Sequence, residues 1–174
     1  MNLHTLGPAN TDSARAARHY LTDQSLVLHD SFEAILQHLR AYRGDELLMP
    51  VAFTSREQPD LNWADFNYVS ADKVHLKASF VLPLMPLILV ENTAYQRDEA
   101  VIHAATEGLL RQYLASEVGE IEFVASKPVA QAVFLARQSR YTIVSADTFT
   151  SVDARYVVRR RFEPQMIWAV YDIL

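Results

Sequence analysis

The chain has 174 residues, half of them apolar and only four of them glycine, which suffices for one domain or two small lobes around a true core and excludes a disordered chain. A net charge of −5 argues against a nucleic-acid partner. The absence of cysteine excludes a disulfide framework and cysteine catalysis and is compatible with the cytosol.

Residues 3–6 read as a first strand, and no basic segment with a following apolar run precedes them, so no signal peptide is expected. Gly7 and Pro8 break the strand, and Asn10 tolerates a left-handed turn. Thr11, Asp12 and Ser13 are helix N-cap types ahead of a helix over 12–21. Such a loop is either an ordinary capped turn or a site where backbone N–H groups and hydroxyls receive a carboxylate or phosphate. A second strand is expected over 25–29. Asp30 is then the expected cap of helix two, with Glu33 three residues on. Phe32, Ile35, Leu36 and Leu39 share that helix's apolar face. Residues 46–53 read as a third strand buried on both faces of a parallel sheet.

Residues 56–71 are polar, carry Pro59 and Asn62, and are expected to break the pattern, with Trp63, Phe66 and Tyr68 supplying some packing. Strands return over 73–90. The apolar run 80–90 is too short for a membrane span and is bent by Pro83 and Pro86. It reads as a core strand crossing between lobes, or otherwise as an apolar dimer surface. The second half repeats the first half's grammar: strand 100–103, helix 107–115, strand 121–125, a helix from Pro128, then strands 141–145, 156–160 and 165–171. Leu109, Leu110, Tyr113 and Leu114 mark one apolar helix face; Val129, Ala132, Val133 and Ala136 mark the other. The last strand is expected to return to the first lobe. Two similar α/β halves predict a two-lobed fold with a ligand cleft between lobes, at strand C-terminal ends and helix N-termini.

The stretch Thr5-Leu6-Gly7-Pro8-Ala9-Asn10-Thr11-Asp12-Ser13 resembles the Gly-Pro-x-Gly-Thr-x-Ser loop of prephenate dehydratase domains. Leu28-His29-Asp30-Ser31-Phe32-Glu33 resembles that family's Ser/Thr-Phe-Glu segment at the usual distance. Both stretches are closer to the prephenate decarboxylases of the bacilysin pathway, which carry Thr-Leu-Gly-Pro and Leu-His-Asp-x-Phe-Glu. The resemblance implies a type II periplasmic-binding-protein-like α/β fold over 1–174 as a single domain. Lobe one is expected at about 1–82 and 163–174, and lobe two at about 83–162.

The dehydratases' Thr-Arg-Phe motif falls here on Met166-Ile167-Trp168, and their Glu-Asn-Ser falls on Ala52-Phe53-Thr54. Neither is kept. Bacilysin-type decarboxylases carry Met-x-Trp and an Ala-Tyr at these places, so the departures point away from dehydration. They are equally what a binding protein without catalysis would show. The expected function is a cofactor-independent decarboxylase of prephenate or a related cyclohexadienyl carboxylate, a carbon–carbon lyase that retains the ring hydroxyl. The alternatives are a non-catalytic carboxylate-binding protein and, third, a dehydratase with a displaced acid.

The candidate residues follow from this reading. His103 is the proton-donor candidate, although a lone histidine is more often structural. Met166 and Trp168 are expected as a dry wall. Asn10, Thr11, Ser13, Thr54, Ser55, Ser126 and Lys127 are candidate carboxylate ligands. Thr106 either meets ligand or, more in keeping with its residue type, caps its helix. Lys77 faces either solvent or ligand. Arg159-Arg160-Arg161 reads as a solvated strand end. No His/Asp/Glu set has metal-ligand spacing, and neither metal nor cofactor is expected. The expected partners are a small carboxylate and a second copy of the chain, with no nucleic acid, no membrane and a cytoplasmic location.

Overall fold

A computed structural model describes residues 1–174 except Arg56, Pro59, Gln96, Ser116, Ala125, Gln138, Ser151 and Val152. Pro59, expected to break the pattern, and Ala125, expected to end a strand, therefore lie outside the described residues. The chain divides into two compact units, Met1–Leu84 with Gln165–Leu174, and Met85–Pro164. Each is a five-stranded mixed sheet with helices on both faces.

The first unit contains β1 (Asn2–Leu6), α1 (Asp12–Tyr20), β2 (Ser25–His29), α2 (Phe32–Gln37), β3 (Glu46–Pro50), α3 (Trp63–Val69), β4 (Val74–Pro83) and β10 (Gln165–Ile173). Its sheet order is β2-β1-β3-β10-β4. β1 is parallel to β2 and β3, whereas β10 is antiparallel to both β3 and β4. The returning last strand is thus part of this sheet, as its sequence position in the pattern predicts. Leu3, Ala16, Ala17, Leu48, Trp168 and Val170 pack beneath α1. Phe32, Ile35, Leu47, Met49, Phe66 and Tyr171 form the core on the other face.

The second unit contains β5 (Leu87–Asn92), β6 (Glu99–His103), α4 (Glu107–Leu114), β7 (Glu120–Val124), α5 (Lys127–Arg137), β8 (Tyr141–Ser145) and β9 (Tyr156–Phe162). Its order, β7-β6-β8-β5-β9, repeats that of the first unit: three parallel strands, an antiparallel fourth, then an antiparallel edge. Leu110, Leu114, Tyr141 and Ile143 pack on one face, and Ala130, Phe134, Val101 and Val144 on the other. Among the described residues no helix is long and apolar enough to cross a membrane.

Several local expectations are corrected. The 80–90 run is two strands in two units, since β4 ends at Pro83 and β5 begins at Leu87, with the division between units at Leu84 and Met85. β3 stops at Pro50, where the chain turns and Phe53 N–H donates to the Pro50 carbonyl. Ser31, not Asp30, caps α2: its Oγ accepts from Ala34 N–H at 3.0 Å. Residues 63–69 form a helix started by an Asn62–Asp65 capping box. The buried face of α5 is Ala130, Val133 and Phe134, one position on from the expected stripe, because the large Phe134 side chain takes the core-facing position.

Candidate functional site

In the first unit the loops after β1 and β3 and the starts of α1 and α2 lie at one end of the sheet, because β1, β2 and β3 run parallel. Gly7 sits in a tight fit there. A Cβ at this position would come within 3.2 Å of Leu28 Cβ and 3.4 Å of the His29 carbonyl, to which Gly7 N–H donates at 2.7 Å. Thr11 is the N-cap of α1. Its Oγ1 accepts from Ala14 N–H at 3.2 Å and donates to the Pro8 carbonyl at 2.9 Å. Ser13 is buried in the first turn, while Asn10 is exposed in the loop.

After β3, Thr54 is exposed and bridged to Asn62. Ser55 is 4% exposed. It donates to the buried Glu33 carboxylate at 2.5 Å and accepts from the N–H groups of Glu57 and Gln58 at 3.2 and 3.0 Å. Glu33 of the Ser-Phe-Glu segment thereby anchors this loop to α2.

Trp168 opposes Pro50, the last residue of β3, and is 2% exposed on the face covered by α1. Its indole N–H has no acceptor among the described residues. Met166 lies two residues earlier, partly buried on the same face. Lys77 is elsewhere. It meets Glu46, the first residue of β3, at 2.5 Å and Asp172 at 3.1 Å. The length of β3 separates it from the Pro50 end by roughly 13 Å at the usual strand rise. Hydrogen bonds to Glu46 and Asp172 raise the Lys77 pKa well above the usual lysine range.

In the second unit His103 closes β6 and opposes Val124, so the turns after β6 and β7 lie at one sheet end. That end carries His103 and Thr106 before α4, and Ser126 and Lys127 at α5. Thr106 is buried and donates to the His103 carbonyl at 2.7 Å, in place of a capping bond to α4. Ser126 Oγ accepts from Val129 N–H at 3.4 Å.

Sequence reasoning missed one polar cluster. Asp45 accepts from the backbone and side-chain N–H groups of Asn2 at 2.7 and 3.0 Å and lies 3.2 Å from His4 Nε2. His4 Nδ1 is 2.8 Å from His29 Nε2, and His4 stacks on Tyr42. Burial raises the Asp45 pKa, but the bonds from Asn2 and His4 outweigh it and hold the carboxyl below its usual value. Among the described residues no group of three or more His, Cys, Asp or Glu side chains has the arrangement to hold a metal ion.

No protein-family model and no curated protein sequence matches the chain. Solved structures do. A prephenate dehydratase from Arthrobacter aurescens, in complex with L-Phe, matches with TM-score 0.59 and 11% identity, over 100% of this chain and 61% of that one. The chain has a prephenate dehydratase-like fold. A second prephenate dehydratase, from Staphylococcus aureus, matches with TM-score 0.57 and 15% identity, over 99% of this chain and 66% of that one. An ABC transporter structure from Parabacteroides distasonis matches with TM-score 0.61 and 14% identity, over 99% and 65%. These likenesses establish a two-lobed α/β fold shared with binding-protein-like domains. The chain spans 61–66% of the length of these structures.

Proposed function

We propose that the chain binds a small carboxylate and acts on it as a cofactor-independent decarboxylase, its substrate being prephenate or a related cyclohexadienyl acid. The observation that carries the reading is Trp168. A buried indole N–H without an acceptor costs roughly 1–3 kcal/mol. This reading assigns to it a ligand oxygen that reaches the Pro50 end of β3 on binding. Trp168 also stands where dehydratases carry the aromatic of Thr-Arg-Phe, with Met166 and Ile167 in place of the polar pair that serves dehydration.

In this reading Thr11, Ser13 and the exposed Asn10 orient one carboxylate at the start of α1. Met166 and Trp168 exclude water, and Thr54 and Ser55 shape the neighbouring loop. His103, Thr106, Ser126 and Lys127 are the ligand-binding groups of the second unit, His103 being the proton donor. Lys77 serves Glu46 rather than substrate. The ring-to-carboxylate bond breaks, its electron pair moves through the diene, and a ring carbon takes the proton. The hydroxyl stays and carbon dioxide leaves. A poorly solvated carboxylate favours this loss. We place the protein in the cytoplasm as a homodimer, with residues 1–174 forming one domain.

One group of observations favours a second reading, a carboxylate-binding protein without catalysis. Thr11, Ser55 and Thr106 all donate to groups within the chain, and Lys77 is neutralised by two carboxylates.

Purified protein incubated with prephenate at neutral pH separates these readings. A dihydro-hydroxyphenylpyruvate that retains the ring hydroxyl, identified by NMR, is the expected product. Phenylpyruvate above the uncatalysed rate would make the protein a dehydratase. Unchanged prephenate that raises the melting temperature would make it a binding protein.

A further inference from the structure

β9 is the edge strand of the second unit, and its side chains change sides part-way along. Tyr156 packs against the Ala130–Phe134 cluster on the α5 face, whereas Phe162 packs against Leu110 and Leu114 on the α4 face. An even spacing of six would put both on one face of a regular strand. The pairing with β5 slips at Arg159: Leu89 opposes Arg160, while Val90 opposes Val158. This extra residue reverses the alternation, as bulges do.

The reversal delivers Arg160 to the α4 face, in step with Phe162. Its guanidinium lies 6.0 Å from the ring centre of Tyr113. Its neighbours are both neutralised, Arg159 by Glu91 and Arg161 by Glu163. Arg160 has no carboxylate partner among the described residues.

Beside Arg160 is a cavity of about 430 Å³, within the roughly 300–1,000 Å³ usual for small-molecule sites. Leu109, Phe162 and Pro164 give it apolar walls, and Gln112, Tyr113 and Arg160 bring polar groups to it. The paired Arg161 and Glu163 complete the lining. A guanidinium fork is suited to two-pronged capture of a carboxylate.

We propose that this pocket between α4 and the end of β9 is a binding site for a small monocarboxylate with an aryl-sized apolar body, its carboxylate held by Arg160. No lining residue belongs to the candidate set for prephenate, so the site stands independently of the decarboxylase reading.

The test is a titration of the ¹⁵N-labelled full chain with 3-phenylpropionate, followed by amide chemical shifts. Saturable shifts confined to residues 109–113 and 160–164 are expected. Arg160→Gln, an exposed position whose spectrum should otherwise overlay, is expected to weaken binding about tenfold, as is replacing the acid by neutral 3-phenylpropanamide. Leu109→Trp, which fills the cavity and keeps the arginine, should block binding. Arg161→Gln should leave affinity within about twofold, its charge being already met by Glu163. The proposal is overturned by an absence of saturable shifts at millimolar acid, by equal binding of the amide, or by an Arg161 variant as impaired as that of Arg160.

Discussion

Arg159, the extra residue in the β9 bulge, donates to the buried carboxylate of Glu91 at 2.5 Å. Arg140 approaches the same carboxylate at 3.1 Å. Glu91 is 5% exposed and meets both guanidinium groups, Arg140 also donating to Asp98 at 2.5 Å. Glu91→Gln should therefore cost about 2–3 kcal/mol, below the full cost of breaking a wholly buried pair because both arginines stay partly in water. Urea unfolding at neutral pH measures it. Arg159→Gln should cost less, because Arg140 still meets Glu91.

Ser55→Ala distinguishes a structural from a ligand-binding role for that hydroxyl. The substitution removes the bond to Glu33 and the acceptor for two backbone N–H groups. A loss of about 2–3 kcal/mol in urea is expected. Unchanged stability with weakened ligand binding would assign Ser55 to the ligand instead.

His29 makes stability depend on pH. His29 Nε2 lies 2.8 Å from His4 Nδ1, and His4 Nε2 lies 3.2 Å from Asp45. Burial first, and then His4, lower the His29 pKa from 6.5, with Asp30 opposing and His38 adding to the fall. A histidine held below its unfolded value takes its proton more readily when unfolded. Its contribution is complete above the unfolded pKa and is lost as pH falls through that value towards the folded one. The urea midpoint should drop from pH 7.5 to pH 5.5, and His29→Asn should flatten the drop. An equally steep drop in the variant would contradict the assignment.

Trp168→Phe removes a donor that has no acceptor among the described residues. Folding stability should fall by about 1–3 kcal/mol, because the smaller ring leaves space at a buried position, offset in part by loss of the unmet donor. Prephenate affinity should fall about tenfold, the worth of one hydrogen bond, read by calorimetry. Unaltered affinity would remove the indole N–H from the site.

The N-terminal loop and the two parallel strand–helix series were legible because their signals are local: cap residues, apolar spacing and the Gly7-Pro8 break. α3 was not, because Pro59 and Asn62 read as breakers and its seven residues give fewer than two turns of periodicity, although Asn62 and Asp65 already spell its capping box. Thr106 looks like a cap in sequence and instead donates to the His103 carbonyl, because a 3₁₀ turn over Ala104–Thr106 intervenes before α4. The partners of Glu33, His4 and Lys77 lie 22, 25 and 31 residues away, beyond any local pattern.

By itself the sequence determined the α/β class, the repeated order of elements and the capped turn after β1, since backbone propensity and hydrophobic period act over a few residues. The tertiary structure decided the rest. It brought Lys77 to Glu46 and Arg159 to Glu91, each basic residue standing at a register slip in an edge strand. One extra residue in a strand exchanges the faces of all that follow. Whether that slip occurs depends on what the neighbouring strand and the packed helices require, and no window along the chain contains those contacts.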